Sequence, residues 1–188
     1  MPETADDVIR TFESGPSHPV RFTDGPGTAV EVVIGAPVAS VWALVSDIAV
    51  PALFSEELIG AEWNEDGPGP DATFTGRNKH AAIGEWKTQN FVTAYAVERT
   101  FSWSVVDRDN PGARWRFDLG PGSADDVQGT TLRFSVVLGP GPSGTTMAIE
   151  SMPDKEAKII HRRIGEINAN MMRTVQGIRE MATSGYSR

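Results

Sequence analysis

Apolar positions in this chain change their period along its length. From residue 28 to residue 35, Val30, Val32 and Ile34 alternate with Glu31 on the opposite face, the two-residue period of a half-buried strand. Ala36-Pro37 ends that strand and opens a helix, because proline is tolerated in a first helical turn. The helix, residues 38–47, presents Val41, Trp42, Leu44 and Val45 to a core. Pro51 breaks it, and residues 52–57 form a second short turn. Period two then returns in six segments: 59–65, 72–79, a third from Gly84 through Val92, 98–106, 113–119 and 130–138. From 153 to 181 the period becomes three and four, with Ile160, Ile164, Ile167, Met171, Val175 and Ile178 on one face of a long helix.

Strands joined by short Gly, Pro and Asp turns form an antiparallel meander, and clean alternation buries only one face of it. That face carries Phe74, Trp86, Phe101, Trp103, Trp115 and Phe117. A helix of about 28 residues spans roughly 42 Å, so it crosses a sheet nearly as wide as the domain. The pattern predicts an α+β fold: a seven-stranded curved antiparallel sheet wrapped around a long C-terminal helix, with two short helices after strand 1. Residues 1–26 read as an irregular arm, 27–182 as one domain and 183–188 as a flexible tail. The turn-rich GPGSADDVQG, 120–129, reads as a loop.

Charge and composition narrow the partners. The net charge of −8 argues against nucleic acid, because phosphate binding needs a basic surface. The charge is uneven, net −11 over residues 1–153 and net +2 over 154–181. Cations on the helix serve solubility and the helix dipole, and the sharper reading of the same residues is docking of an acidic partner such as an acyl carrier protein. The absence of cysteine excludes disulfides, thiolate chemistry and cysteine-ligated metal. The opening MPETADDVIR is acidic and lacks the apolar segment of a signal peptide, and no run approaches the roughly 20 apolar residues of a membrane span. A cytoplasmic protein without stable membrane insertion is expected, as monomer or homodimer.

A bent sheet and a straight helix do not pack flush along their whole length. The gap, lined by aromatics and methionine, suits a flat or long apolar ligand. Asn78, Thr88 and Asn90 fall in register with the aromatics, and each costs a few kcal/mol if buried without a partner. Phe74, Trp86, Phe101, Trp103, Trp115 and Phe117 supply the expected sheet wall, and Ile164, Asn168, Met171 and Met172 the helix wall. Asn78, Asn90 and His161 are the candidates for moving a proton or polarising a carbonyl. His18 falls in the arm and His80 at a turn that would border the cavity mouth, with Glu56 and Glu57 near the same mouth. No HExxH or carboxylate cluster appears, so neither metal nor cofactor is expected. GPGPSG, 139–144, has the spacing of a dinucleotide loop. Its prolines remove N–H donors, and the following TTMAIESMP, broken by Pro153, does not read as the helix that motif must open.

The order of these elements resembles the START-like (SRPBCC) superfamily, the Bet v 1-like helix-grip fold. VEVVIGAPVASVWALVSDIAVPALFSEEL is similar to its opening strand and paired helices. FTGRN (74–78), GEWKT (84–88), FSWSV (101–105), ARWRFDL (113–119) and the terminal IIHRRIGEINANMMRTVQGIREMA resemble the branch of polyketide cyclases/dehydrases and lipid-transport proteins. The likeness covers about residues 28–182, with Phe54 where members often carry tryptophan. It implies a cofactor-free protein that binds a small hydrophobic or aromatic ligand, a lipid or polyketide-like molecule. The alternatives are a polyketide cyclase/aromatase or dehydratase, and a protein-interaction module. Against the enzyme, Arg77, Arg114 and Arg116 alternate outward, so no inward arginine–tyrosine pair is evident.

Overall fold

The computed structural model describes residues 10–14, 21–64, 67–81, 83–124 and 127–184. The first strand of the domain, β2 (Gly27–Ile34), buries Val30, Val32 and Ile34 as its alternation requires. Pro37 precedes α1 (Val38–Val45), which buries Val41, Trp42, Leu44 and Val45. The Ser46 hydroxyl donates to the Trp42 carbonyl at 2.7 Å and closes its last turn. A 3-10 turn at Val50–Leu53 follows, started by Pro51. The chain then runs through β3 (Leu58–Trp63), β4 (Thr73–His80), β5 (Gly84–Ala96), β6 (Thr100–Val105), β7 (Ala113–Ala124) and β8 (Val127–Leu138), all antiparallel to their neighbours. The seven strands and the long helix expected from sequence are all present.

Three features differ from expectation. The arm carries a strand of its own, β1 (Arg10–Ser14), which pairs with β2 from Arg10 opposite Glu31 to Ser14 opposite Gly27. The sheet therefore has eight strands in the order β1-β2-β8-β7-β6-β5-β4-β3. The rest of the arm up to residue 20, His18 included, lies outside the described residues, as do residues 185–188 of the expected tail. Second, GPGSADDVQG is not a loop but the far end of the β7–β8 hairpin, paired to Ala124 opposite Val127. Proline is tolerated there because β6 pairs with β7 only as far as Asp118, so Pro121 sits on an open edge. Third, GTTMAIES forms a short helix, α2 (Gly144–Ser151), opened by reciprocal hydrogen bonds between Ser143 and Thr146. A 3-10 turn at Pro153–Lys155 separates it from α3, so the long helix runs Glu156–Thr183.

The packed core is one-sided. Ile160, Ile167, Met171, Val175 and Ile178 of α3 are buried, and α3 lies chiefly against β2, α1 and α2. Asn168 donates to the Thr28 hydroxyl at 2.8 Å and fixes the helix on β2. Gly177 lies under the Phe54 ring, and a Cβ at that position would overlap it. The α3 backbone makes little approach to β4, β5, β6 and β7. The inner face of those four strands is therefore where the site must be sought.

Candidate functional site

Period two puts one aromatic row on the inner face of β4, β6, β7 and β8. Trp103 is its hub, with ring centroids 5.9 Å from Phe74, 5.1 Å from Phe101, 5.9 Å from Phe117 and 6.5 Å from Phe134. Trp115 lies parallel to it at 6.3 Å, with planes 10° apart. Phe74, Phe101, Phe117 and Phe134 are buried, whereas Trp86, Trp103 and Trp115 remain half-buried although they face inward. These three large inward rings are thus not fully closed over by their neighbours.

Beside this wall sit the three polar residues of the same register. Gly76 pairs with Thr88, Asn78 with Trp86 and Phe74 with Asn90. The missing side chain at Gly76 leaves room for the triad, since a Cβ there would stand 2.9 Å from Thr88 Oγ1 and 3.3 Å from Asn90 Nδ2. Asn90 Nδ2 donates to the carbonyls of Phe74 at 3.2 Å and Thr88 at 3.1 Å, which fixes the amide orientation, because only its nitrogen can face two carbonyl oxygens. Asn78 Nδ2 donates to Thr88 Oγ1 at 3.3 Å. Among the described residues neither Asn78 Oδ1 nor Asn90 Oδ1 accepts a hydrogen bond. No fully enclosed side-chain polar atom among the described residues lacks a partner, so each of these two oxygens keeps some accessible surface.

The far edge of this face is held to the helix by charge. Arg163 of α3 makes a two-pronged ion pair with Glu57, at 2.6 Å to each carboxylate oxygen, just before β3. Glu166 lies 3.7 Å from Arg163 and 3.9 Å from His80 Nε2 at the end of β4. One turn on, Asn170 Oδ1 accepts from the Glu56 backbone at 2.9 Å and Arg173 meets the Glu56 carboxylate at 3.1 Å. Burial opposes the Arg163 charge, but hydrogen bonds and attraction from Glu57, with Glu166 adding, hold the guanidinium above its ordinary range. The helix thus touches one side of the sheet by apolar packing and the other by this polar clasp.

The expected site residues divide accordingly. Phe74, Asn78, Trp86, Thr88, Asn90, Phe101, Trp103, Trp115 and Phe117 share the inner face of β4–β7. On α3, Met171 is buried and Ile164 half-buried. Met172 is 37% exposed and His161 is exposed, so neither joins that face. Each is one residue past a stripe position, and one helical residue is a turn of 100°. Asn168 is committed to Thr28. Three contributors were missed. Arg163 stands three residues after Ile160 and four before Ile167, on the stripe itself, a signal hidden by grouping it with the outer cations. Trp63 packs on Phe74 at 5.4 Å, and Tyr95 lies between Trp42 and Phe101 at 5.2 and 5.7 Å. Tyr95 is therefore half-buried against the core.

The 139–144 loop is not arranged to hold a phosphate. α2 does follow the 139–144 loop, contrary to expectation, but the loop amides of Gly139 and Gly141 bond the carbonyls of Gly112 and Pro111 and are not offered to a phosphate. Among the described residues no group of three or more His, Asp or Glu is placed to hold a metal ion, and no helix is long and apolar enough to cross a membrane. A separate groove of about 380 Å³ opens where α1 begins, lined by Val38, Glu98, Arg99, Leu119 and Thr130 among others, and the polar triad is not part of it.

The family described as "Polyketide cyclase / dehydrase and lipid transport" matches residues 26–158. No curated protein matches the chain. Among solved structures, a polyketide-cyclase-like protein of Corynebacterium glutamicum is 27% identical, covering 91% of this chain and 99% of that one, with a TM-score of 0.59. The di-domain ARO/CYC StfQ from the steffimycin biosynthetic pathway is 12% identical, covering 85% of this chain and 51% of that one, with a TM-score of 0.64. A Thermus thermophilus protein is 13% identical, covering 86% of this chain and all of that one, with a TM-score of 0.59. The last two likenesses concern the fold alone.

Proposed function

This chain belongs to the polyketide cyclase / dehydrase and lipid transport family, and from that premise we propose that it encloses a small hydrophobic or aromatic ligand between α3 and the inner face of β4–β7. The observation that carries this reading is the state of the inner wall. Trp86, Trp103 and Trp115 keep accessible surface while facing inward, and Asn78 and Asn90 leave their carbonyl oxygens unmatched. A wall evolved only to pack would bury the rings and pair the amides. Binding takes precedence over turnover because the polar groups beside the aromatic wall are amides and a hydroxyl, while His80 and Glu166 belong to the clasp at its edge. His161, the histidine among the candidates for moving a proton, is exposed and off the inner face. As an enzyme the recess would act chiefly by folding its substrate, through proximity.

Native mass spectrometry of gently purified protein tests this. The expected result is a non-covalent adduct of a few hundred daltons, released on unfolding and lost in Ile164→Trp, which fills the recess from the helix side. Protein that carries no adduct, and takes none up from a bacterial organic extract, would overturn the reading.

A further inference from the structure

We propose that the indole N–H groups of Trp103 and Trp115 are the polar anchor of the site and hold a carbonyl oxygen of a ring-bearing ligand. This rests on the reading of the inner face as a ligand recess. The rings of that face sort by polarity. Phe74, Phe101, Phe117 and Phe134, which carry no polar atom, are all buried at 5% exposure or less. Trp63, Trp86, Tyr95, Trp103 and Trp115, each with an N–H or O–H donor, are all half-buried. Among the described residues none of these five side chains donates a hydrogen bond to the protein. None of their donor atoms is fully enclosed either, so each keeps some accessible surface. The buried polar side chains of the same sheet are treated differently: Asn90 donates to the Phe74 carbonyl, Ser104 to that of Arg108 and Thr130 to that of Ala36. A wall that only packs has no use for an indole nitrogen, because a desolvated N–H without an acceptor costs free energy.

Two of the five are placed to act together. Trp103 and Trp115 stand opposite each other in the β6–β7 register, and their rings lie 10° from parallel at 6.3 Å. Both belong to the middle of the aromatic row, on strands with which α3 makes few contacts. An indole nitrogen donates and does not accept, so the ligand group it meets must be an acceptor. A carbonyl oxygen has two lone pairs for two donors, and the ring system attached to it continues the apolar contact with the aromatic wall. The ligand class is therefore an aryl ketone or quinone. The indoles orient its carbonyl and take no proton from it, which makes them positioning groups.

The test is titration of the full, nitrogen-15-labelled chain with 1-tetralone and with tetralin, which share a bicyclic skeleton and differ by the carbonyl oxygen. Binding of 1-tetralone should move the indole proton signal of Trp103 or Trp115 downfield of its position with tetralin. Trp103→Phe combined with Trp115→Phe keeps both positions aromatic and removes both N–H groups. It should weaken 1-tetralone about three- to tenfold, the worth of one net hydrogen bond, and leave tetralin within about twofold. The wild-type spectra decide the matter even if the variant folds poorly. No downfield difference at either indole, or a double variant that weakens both ligands alike, would overturn the anchor and leave the recess standing. A selective loss of 1-tetralone seen only with Trp86→Phe would overturn the assignment to this pair. Binding of neither ligand would overturn both this inference and the recess.

Discussion

Asn90 serves the sheet and the recess at once. Its amide nitrogen bonds carbonyls on β4 and β5, and its oxygen is left over. Asn90→Ala should cost about 1–3 kcal/mol, since two strand carbonyls lose a buried donor, read as a lower urea midpoint at unchanged slope. Asp118, on the outer face, behaves differently. Burial opposes its charge, but hydrogen bonds from Arg116 and Thr100 and the charges of Arg116 and Arg133 outweigh that, so its carboxyl titrates below the ordinary range. A depressed carboxylate contributes stability above its unfolded pKa of about 3.9, and the contribution is lost as pH falls through the lower folded value. Asp118→Asn should therefore destabilise at pH 7, by about 1 kcal/mol or less because the pair is partly exposed, and by less at pH 2. Thermal melts at both pH values check it, and an equal deficit at both would contradict it. Most strand residues were legible because period two assigns side chains to a face until a bulge resets it, as between Val92 and Ala94, where Tyr95 was missed. Helix residues were less so: His161 and Met172 sit one step off the stripe and turn outward, while Arg163 sits on it and turns inward.

The long helix is held by a glycine and an ion pair as much as by its apolar stripe. Gly177→Ala should destabilise even though alanine improves helix propensity by about 1 kcal/mol, because the added methyl overlaps the Phe54 ring and overpacking costs about 1–3 kcal/mol. Combining it with Phe54→Leu should recover part of the loss, and additive losses in chemical denaturation would contradict the contact. Arg163→Ala leaves Glu57 facing the recess without its partner and should cost about 1–3 kcal/mol, whereas Arg163→Met with Glu57→Leu should cost less than either single change. Elements with strong periodicity, β2 and α3, were legible to within a few residues. α2 was not, because none of its residues is buried and its only start signal is the Ser143–Thr146 cap. The distal β7–β8 hairpin was hidden by Gly and Pro residues that usually mark turns, and only the early end of β6 leaves Pro121 an edge to occupy. β1 lies in a stretch too poor in alternation to be read as a strand.

The order strand, helix, meander, long helix was enough to specify the architecture, because a one-faced aromatic sheet has few ways to be covered. It was not enough to specify a task, since one fold hosts binders and enzymes alike and the difference lies in a few inward atoms. The proposed recess rests on an asymmetry: α3 packs on β2 and α1, meets Glu57 just before β3 through Arg163, and makes few contacts with the aromatic strands between. The five tryptophans provide an internal gauge of whether that span is open to a ligand. Titration of nitrogen-15-labelled protein with 2-naphthol, followed at the indole N–H signals, should give saturable shifts at Trp86, Trp103 and Trp115, with Trp42, buried at 8% exposure, moving least. Saturable shifts confined to outer-surface amides, or none at the three inward indoles, would contradict a ligand recess between helix and sheet.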